Sequence, residues 1–397
     1  MKNTEHEEKL HRAIAMATAK YPEESIMLLD EGALRERAGT IRKHFMGTTA
    51  YAVKANPRRR ILKILVEEGI TTFDCSSPEE VSAVQKVNPD AKILYNMPVN
   101  TRSDIAAVLA RGGRHFTAHD REGVEEILTC ALLANKPPQQ IPLEEIHIVA
   151  RLETFNPHAA IDLSDKFGAT TEETEMMIED IRRAGASPGL SIHTGSQNTD
   201  PNEFKKGIRK MTKLARDVGG VDSINVGGGL PANIHDGDRY LIEGYLDEIN
   251  SAIRKNLAGV FRKDAIDRVY IEPGRAMVAE AVDLIIPVLS VTTRRGERVI
   301  YMKEGLFGSF FDAALHKWQF PFEALRRNDR RFSDQKATFK LLGQTCDSGD
   351  KIGTKVLLPE NIQRGDYLHV PSAGAYMSSQ ASDFNGCKKA RYVSYKK

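Results

Sequence analysis

The chain has 397 residues, of which 41% are hydrophobic and 28% are charged, a composition typical of a folded globular protein and not of a disordered or fibrous one. Its 56 Lys and Arg residues almost balance its 54 Asp and Glu residues, so the net charge of +2 argues against a nucleic-acid or membrane-surface partner and favours a small molecule. The length fits one (β/α)8 barrel of about 240 residues plus a smaller domain.

The N-terminal twenty residues are charged and helical in pattern, without the apolar segment of a signal peptide, and no later run approaches the length of a membrane span. The four cysteines are scattered without CxxC spacing and are too few to cross-link a chain of this size. We therefore expect reduced thiols and a cytoplasmic location.

An isolated strand is predicted at Ser25–Asp30, and the helical pattern resumes at Leu34. From about residue 47 to residue 275, eight short β-branched or aromatic runs alternate with amphipathic helical segments. The eight predicted strands are residues 48–54, 71–76, 93–96, 115–120, 146–153, 189–196, 223–229 and 268–275. Repeated βα units of this kind indicate a parallel sheet, and eight of them favour a closed barrel over a doubly wound open sheet.

After residue 275 the pattern changes to long apolar runs with few helical intervals, which indicates a separate β domain. Its predicted strands are residues 281–291, 298–302, 338–342, 355–358 and 366–371. The isolated strand near the N-terminus could pair with this sheet. We therefore predict that residues 1–35 join the β domain, that residues 36–275 form the barrel and that residues 276–397 form the β domain.

Residues at the C-terminal ends of barrel strands face one mouth, where the active sites of such barrels lie. Lys54 ends the first run, in YAVKANP, and a lysine at this place can form an imine with an aldehyde cofactor. Considered alone, Lys54 would more often be an ordinary surface lysine.

Three more strand ends carry candidate binding groups. The backbone N–H groups of Gly227–Gly229 could cradle a phosphate, and Glu272 is followed by Arg275, whose guanidinium could help to neutralise it. His193 ends the sixth run. Considered singly, these residues are equally typical of a plain turn, a structural salt bridge and a core histidine.

The order of these motifs resembles the fold-type III decarboxylases, which depend on pyridoxal 5'-phosphate (PLP) and include the ornithine, arginine and diaminopimelate decarboxylases. The motifs are YAVKAN at 51–56, HTGSQ at 193–197, GGG at 227–229 and EPGR at 272–275. Further similar segments are FDCS at 73–76, KFG at 166–168, GQTCDSGD at 343–350, SAGAY at 372–376 and FNG at 384–386. The resemblance covers nearly the whole chain after about residue 25.

This resemblance implies an α/β protein in which a PLP-binding (β/α)8 TIM barrel is joined to a C-terminal β-sandwich or β-barrel domain, as in alanine racemase. It implies that Lys54 carries PLP and that His193 lies over the cofactor ring. The cofactor-binding residues that it implies are Lys54, Asp74, Arg151, His193, Ser196, Gly227, Gly228, Gly229, Glu272, Gly274, Arg275 and Tyr376.

Glu272 separates two reaction types on this scaffold. A carboxylate opposite the pyridine nitrogen keeps that nitrogen protonated and makes the ring a stronger electron acceptor, which favours decarboxylation. In the related racemases an arginine is expected at this place. Glu272 therefore favours a decarboxylase over a racemase.

By the same resemblance, Cys346 donates a proton to the α-carbon after CO2 leaves, and Asp347 accepts the distal ammonium of the substrate. Both residues are expected to reach the barrel mouth of a second subunit, so a homodimer with shared active sites is implied. From the residues alone, Cys346 could be a small buried hydrophobe and Asp347 a turn residue before Ser-Gly.

The substrate motifs are mixed. HTGSQ and SAGAY resemble the diaminopimelate branch, whereas the Cys346-Asp347 pair, GSFFDAAL at 308–315 and FNG resemble the ornithine branch. No arginine occurs within residues 303–318, which weakens the case for a second substrate carboxylate. The second acidic residue of ornithine enzymes is replaced here by Leu315 or His316, with Asp312 as the nearest substitute.

We therefore expect an ornithine-like diamino acid as the substrate, in polyamine biosynthesis, with diaminopimelate or a larger amino-acid conjugate as the alternative. The expected substrate-binding residues are Asp347, Asp312, His316 and Tyr376. An inactive regulatory homologue would have lost cofactor residues, which this chain retains. A metal hydrolase would need clustered histidines and carboxylates at strand ends, and the sequence predicts no such metal site.

Overall fold

The computed structural model describes residues 2–134, 141–262, 268–326 and 331–396, with side chains from residue 8 onward except at position 354; Met1, where the predicted N-terminal helix begins, lies outside these ranges. The chain divides into two compact units. The barrel unit comprises Glu36–Pro231 and Tyr240–Met277, and the β unit comprises Met1–Arg35, Ala232–Arg239 and Val278–Lys397.

The strands, in chain order, are β1 (Ile26–Asp30), β2 (Thr48–Ala52), β3 (Thr72–Cys75), β4 (Lys92–Tyr95), β5 (His115–Ala118), β6 (His147–Arg151), β7 (Ala159–Ile161), β8 (Ser187–Ser191), β9 (Ser196–Asn198), β10 (Ser223–Asn225), β11 (Val269–Ile271), β12 (Val282–Arg294), β13 (Glu297–Met302), β14 (Glu323–Leu325), β15 (Lys336–Leu342), β16 (Lys351–Pro359), β17 (Tyr367–Val370) and β18 (Arg391–Tyr395).

The α-helices are α1 (Lys2–Lys20), α2 (Glu31–His44), α3 (Arg59–Glu67), α4 (Pro78–Gln85), α5 (Arg102–Ala110), α6 (Arg121–Leu133), α7 (Thr171–Arg183), α8 (Pro201–Asp217), α9 (Ile242–Asn256), α10 (Arg275–Val278) and α11 (Phe311–Leu315). Short 3-10 turns occur at Val53–Ala55, Leu143–Glu145, Ala279–Ala281 and Phe384–Gly386.

Eight parallel strands of the barrel unit form a closed barrel in the order β10-β11-β2-β3-β4-β5-β6-β8, with β8 paired to β10. The predicted closed barrel is confirmed, and the open doubly wound sheet is excluded. All four residues of β3 and of β5 are buried, because helices cover the outside of a parallel barrel while side chains fill its inside. The helices supply an apolar face, as in α3, where Ile61, Leu62, Ile64 and Leu65 are buried.

Side chains cap the starts of two barrel helices. Asp120 accepts a hydrogen bond from the backbone N–H of Gly123 at the start of α6. Thr170 and Glu173 form a reciprocal capping box at the start of α7. Such caps satisfy backbone donors that a helix start leaves unpaired, so the strand-to-helix connections at the barrel mouth are well defined.

All eight barrel strands end earlier than the sequence suggested, and two of these differences concern the barrel mouth. Lys54 lies in the 3-10 turn after β2 and not in the strand itself. The predicted strand 189–196 is wrong as a single element, because β8 ends at Ser191 and β9 pairs antiparallel with β7 in a separate two-stranded sheet. An apolar run shows where a strand is favoured, but it does not show with which neighbouring strand each part of the run pairs.

The β unit contains an eight-stranded sheet. Six strands follow the order β14-β17-β12-β13-β15-β16, and β1 pairs antiparallel with β12 and parallel with β18. A buried cluster of Ile14, Ala17, Ile26, Leu28, Ile285 and Tyr367 joins α1 and β1 to this sheet. Two strands, β14 and β18, were not predicted, because each is short and neither is fully buried.

All four cysteines are free in the structure, with Cys75 and Cys130 buried and Cys346 exposed. Within the described ranges, no helix combines the length and the apolar content that crossing a membrane requires.

Candidate active site

Lys54 and Asp74 form an ion pair where β2 and β3 end. The distance from Lys54 Nζ to Asp74 Oδ2 is 3.3 Å, and the side chain of Asp74 is fully buried, whereas that of Lys54 is 41% exposed. Ala52, two residues before Lys54, pairs with Asp74 across the two strands, and this pairing places Lys54 beside Asp74. A buried carboxylate thus holds an amine that solvent and small molecules can still reach.

Glu272 follows β11 and is a buried carboxylate. Its Oε1 atom accepts hydrogen bonds from the Nδ2 atoms of Asn96 and Asn225, which lie at the ends of β4 and β10. Burial, with a smaller contribution from the charge of Asp74, raises the pKa of Glu272 to about 7, although Lys54 opposes the shift. Three barrel strands thus converge on one carboxylate.

His193 and Arg151 are two further polar residues at the ends of barrel strands, after β8 and at the end of β6. The Nδ1 atom of His193 accepts a 3.1 Å hydrogen bond from the backbone N–H of Gly195, so the neutral ring carries its proton on Nε2. Burial lowers the pKa of His193 well below its ordinary value, and the charges of Arg151 and Lys54 lower it further. The ring is therefore neutral near pH 7.

The turn Gly227–Gly229 requires glycine. Gly227 and Gly229 have φ values of 73° and 100°, and a Cβ atom would overlap the carbonyl oxygen of Ile192 at Gly227 and that of Gly195 at Gly229. No described residue accepts a hydrogen bond from the N–H groups of Gly228 and Gly229. These N–H groups are available to an anion.

Gly274 and Arg275 follow the end of β11, whereas Ser196 lies in the two-stranded sheet outside the barrel. Arg275 is buried at the first position of α10, and Gly274 accepts a 3.0 Å hydrogen bond from Met277 N–H. Ser196 is the first residue of β9. Apart from Ser196, the structure places the barrel residues that the sequence singled out at or just after the C-terminal ends of barrel strands.

Cys346 and Asp347 belong to the β unit and are exposed in the loop between β15 and β16. The backbone N–H of Cys346 donates a 3.0 Å hydrogen bond to Asn385 Oδ1, and Asp347 Oδ1 accepts a 2.6 Å bond from Gly349 N–H. Asp347 therefore does form the turn that the sequence left open, but its carboxylate is still exposed. Cys346 is not a buried hydrophobe.

The other predicted substrate residues of the β unit are Asp312, His316 and Tyr376. Asp312 is buried in α11, and its Oδ1 atom lies 3.8 Å from His316 Nε2. The ring of His316 lies 5.4 Å from that of Trp318, centre to centre. Tyr376 is partly buried and has a φ of 67°, so its backbone is held in the left-handed region.

Comparison with known proteins identifies the family. The model of the pyridoxal-binding domain of the pyridoxal-dependent decarboxylases matches residues 31–279, more than half of the chain. The chain belongs to the pyridoxal-dependent decarboxylases. It is a PLP-dependent amino-acid decarboxylase, as the motifs predicted.

Individual relatives agree with this family. The lysine/ornithine decarboxylase of Selenomonas ruminantium is 28% identical over 342 residues, 85% of this chain and 80% of the relative. The ornithine decarboxylase of Mus musculus is 29% identical over 366 residues, 86% of this chain and 74% of the relative. The structure of lysine/ornithine decarboxylase from Vibrio vulnificus complexed with putrescine has a TM-score of 0.82 and 25% identity, covering 96% of this chain and 97% of that chain.

The residues of this decarboxylase fit PLP. Asp74 Oδ1 is buried without a hydrogen-bond partner among the described residues, beside a reachable lysine amine. The N–H groups of Gly228 and Gly229 suit a phosphate, whereas that of Gly227 donates to Asn225 Oδ1. The buried carboxylate of Glu272 suits a protonated pyridine nitrogen. Lys54, Glu272 and the glycine turn would hold the cofactor.

Three residues around the decarboxylase site were missed by the sequence reasoning. Asn96 and Asn225 bond to Glu272, and Glu80 Oε2 accepts a 2.7 Å hydrogen bond from Ser76 N–H. Burial raises the pKa of Glu80 to about 7. Asn96 ends a predicted strand and Asn225 ends an observed one, so the strand-end position was the signal that could have found them. For Glu80, the spacing from Ser77 indicated only a helix cap.

One group of potential metal ligands lies in the barrel unit, although none was predicted. Ligand atoms of His158, Asp200 and Glu203 lie within 4.8 Å of one another. Glu203 Oε1, however, accepts a 2.7 Å hydrogen bond from Lys206 Nζ, and this ammonium competes with a cation. The group therefore carries no functional argument.

Proposed function

We propose that this enzyme removes the α-carboxylate of an ornithine-like diamino acid, releasing CO2 and a diamine, in polyamine biosynthesis. The observation that carries the proposal is the exposed Cys346-Asp347 pair, which offers a thiol and a carboxylate side by side. A carboxylate suits the distal ammonium of such a substrate. The names of the relatives from Selenomonas ruminantium and Mus musculus support the same class of substrate.

The reaction breaks the bond between the α-carbon and its carboxylate, so an electron pair must be held and a proton must replace CO2. PLP, when bound, supplies the acceptor for this electron pair. Glu272 would stabilise a proton on the pyridine nitrogen, and the neutral His193 would border the cofactor without adding charge. Cys346 gives its thiol proton to the α-carbon.

Asp74 prepares Lys54 for its role. The buried carboxylate holds Nζ in place at 3.3 Å, and the exposure of the amine leaves it accessible to the cofactor aldehyde. Loss of the proton from Nζ makes this amine a nucleophile. The Gly227–Gly229 turn and Arg275 would hold the phosphate of the cofactor, whose aldehyde would react with Lys54.

One observation favours a second class of substrate. His316 Nε2 lies 3.8 Å from Asp312 Oδ1, so the carboxylate expected to bind a second ammonium already has an imidazole neighbour. A protonated His316 could instead bind a substrate carboxylate. Diaminopimelate or a larger amino-acid conjugate is therefore the alternative.

A substrate screen tests the proposal. We expect CO2 release and a diamine product from L-ornithine or L-lysine, and little turnover of D-isomers, diaminopimelate or amino-acid conjugates.

Asp347→Asn should raise KM for the diamino acid by about 10- to 150-fold, because one charge-assisted hydrogen bond is lost. Asp383→Asn, at another exposed aspartate of the β unit, is the matched control. Turnover confined to diaminopimelate or a conjugate would contradict the proposal.

We also propose that the enzyme is a homodimer with shared active sites. Cys346 and Asp347 are exposed in the single chain, as residues that serve a partner subunit must be before assembly. A two-fold interface would place each pair at the partner's Lys54, and each contact would occur twice.

Subunit mixing tests the shared site. Lys54→Ala and Cys346→Ala are each expected to be inactive alone, whereas a mixed dimer has both lesions in one site and leaves the other intact. At equal mixing, activity should return to roughly a quarter of the wild-type value, since half of the dimers are mixed and each has one working site. Differently tagged chains report the exchange. Exchange without recovered activity would show that Cys346 acts within its own chain.

A further inference from the structure

Two asparagine side chains bond to Glu272 from different barrel strands. Asn96 directly follows β4, Asn225 is the last residue of β10, and both donate to Oε1. No described residue donates to Oε2. We propose that Asn96 and Asn225 are positioning residues that present Glu272 to the pyridine nitrogen of PLP as an oriented, ionised carboxylate. This inference rests on the role proposed above for Glu272.

The oxygen ends of both amides are occupied by hydrogen bonds. Asn225 Oδ1 accepts a 2.8 Å hydrogen bond from Gly227 N–H, and Asn96 Oδ1 accepts a 2.7 Å bond from the hydroxyl of Thr117. An amide oxygen can only accept and an amide NH2 can only donate. Gly227 N–H can only donate, so the NH2 of Asn225 must face Glu272. The Thr117 hydroxyl donates to the oxygen of Asn96, and the NH2 of Asn96 therefore also faces Glu272 Oε1.

Donors of this kind favour the charged form of the carboxyl group. Burial and the charge of Asp74 disfavour ionisation of Glu272, and hydrogen bonds to the carboxylate oppose them. If either asparagine were an acid, two buried carboxyl groups would share a proton. The asparagines therefore allow Glu272 to be an anion without placing a second anion beside it.

Asn225 also connects Glu272 to the phosphate turn. Its oxygen binds Gly227 N–H, and Gly227 O accepts a 2.9 Å hydrogen bond from Glu272 N–H. The three residues thus form a closed set of contacts. A change at Asn225 that keeps the bond to Gly227 will therefore isolate the effect on Glu272.

Asn225→Asp is such a change, because one carboxyl oxygen can still accept from Gly227 N–H. The introduced carboxyl can donate to Glu272 only while it is protonated, and its pKa is raised by burial and by the neighbouring anion. We expect kcat to approach the wild-type value at acidic pH and to fall about 10- to 100-fold as pH rises through the ionisation of the pair, with KM changed much less. Asn225→Leu has no donor at any pH, so its kcat should be low throughout.

Two readouts do not depend on turnover. The absorption spectrum of bound PLP, titrated with pH, should gain a transition in Asn225→Asp that wild type lacks, because ionisation of the introduced carboxyl breaks its hydrogen bond to Glu272 and displaces the Glu272 carboxylate. The Kd for PLP should rise with pH in the same variant. Asn96→Asp should change kcat, the PLP spectrum and the Kd for PLP with pH in the same way. This variant keeps the test available if Asn225→Asp does not fold.

Asn250→Asp is the matched control. Asn250 is another buried asparagine of the barrel unit, and its amide bonds to the backbone of His44 and Met46 at distances of 2.7 and 3.1 Å. The control should lose stability without changing the pH dependence of kcat or of the PLP spectrum. Parallel profiles for Asn225→Asp, Asn96→Asp and Asn250→Asp would overturn the inference. If Glu272→Gln itself leaves turnover and spectrum unchanged, the proposed role of Glu272 fails instead.

Discussion

Borohydride reduction of the purified holoprotein is expected to bleach its yellow colour and to leave a pyridoxyl group on Lys54. Replacing Lys54 by Ala should lower turnover by several orders of magnitude, because the covalent attachment of the cofactor and its displacement by substrate both use this amine. Mass spectrometry of digested, reduced protein locates the modified residue, and steady-state kinetics give kcat.

The structure explains why Lys54 is favoured over the other lysines. Its amine is paired with the buried carboxylate of Asp74 and is still 41% exposed. Lys63→Ala, at an exposed lysine of α3, is the control and should retain turnover and colour. A pyridoxyl group found on a lysine other than Lys54 would remove the assignment.

Glu272→Gln is expected to lower kcat by about two to four orders of magnitude while PLP still binds. The amide that replaces the carboxylate can still accept from Asn96 and Asn225 through its oxygen, but it carries no charge to stabilise a proton on the pyridine nitrogen. Each 1.36 kcal/mol of lost transition-state stabilisation costs a factor of ten in rate. Stopped-flow kinetics and PLP absorbance measure the two effects separately.

The stability of the protein without cofactor gives an independent check of Glu272. The pKa of Glu272 is raised from 4.5 to about 7 in the folded state, so the protonated carboxyl stabilises the fold at low pH, and this stabilisation is lost as pH rises through about 7. The difference in unfolding free energy between Glu272→Gln and wild type should therefore grow in favour of the variant across this range. Unchanged kcat in Glu272→Gln would contradict the electron-acceptor argument, whatever the stability.

Much of the barrel could be predicted because its determinants are local. Alternation of apolar strands with amphipathic helices indicated eight βα units, and the structure has eight barrel strands. Lys54, the Gly227–Gly229 turn and Glu272 could be found because each begins within two residues of a strand end. Strand ends in a parallel barrel meet at one mouth, so sequence position alone placed these residues together.

Predictions failed where pairing is decided between distant segments. Residues 189–196 were predicted as one strand, but β9 leaves the barrel to pair with β7, with Ile161 opposite Ser196. The short strands β14 and β18 carry little apolar pattern and exist because β17 and β1 offer them backbone partners. Local patterns do not contain the identity of such partners.

By itself, the sequence determined which chemical groups this decarboxylase has and in what order along the chain they occur: a lysine, a glycine turn and a carboxylate, each after a strand. Only the tertiary structure decided that Asn96 and Asn225 meet on Glu272 across the barrel, and that their oxygen ends are already occupied. The physical reason is that protonation and orientation of a buried group depend on which donors surround it, and those donors come from strands far apart in sequence.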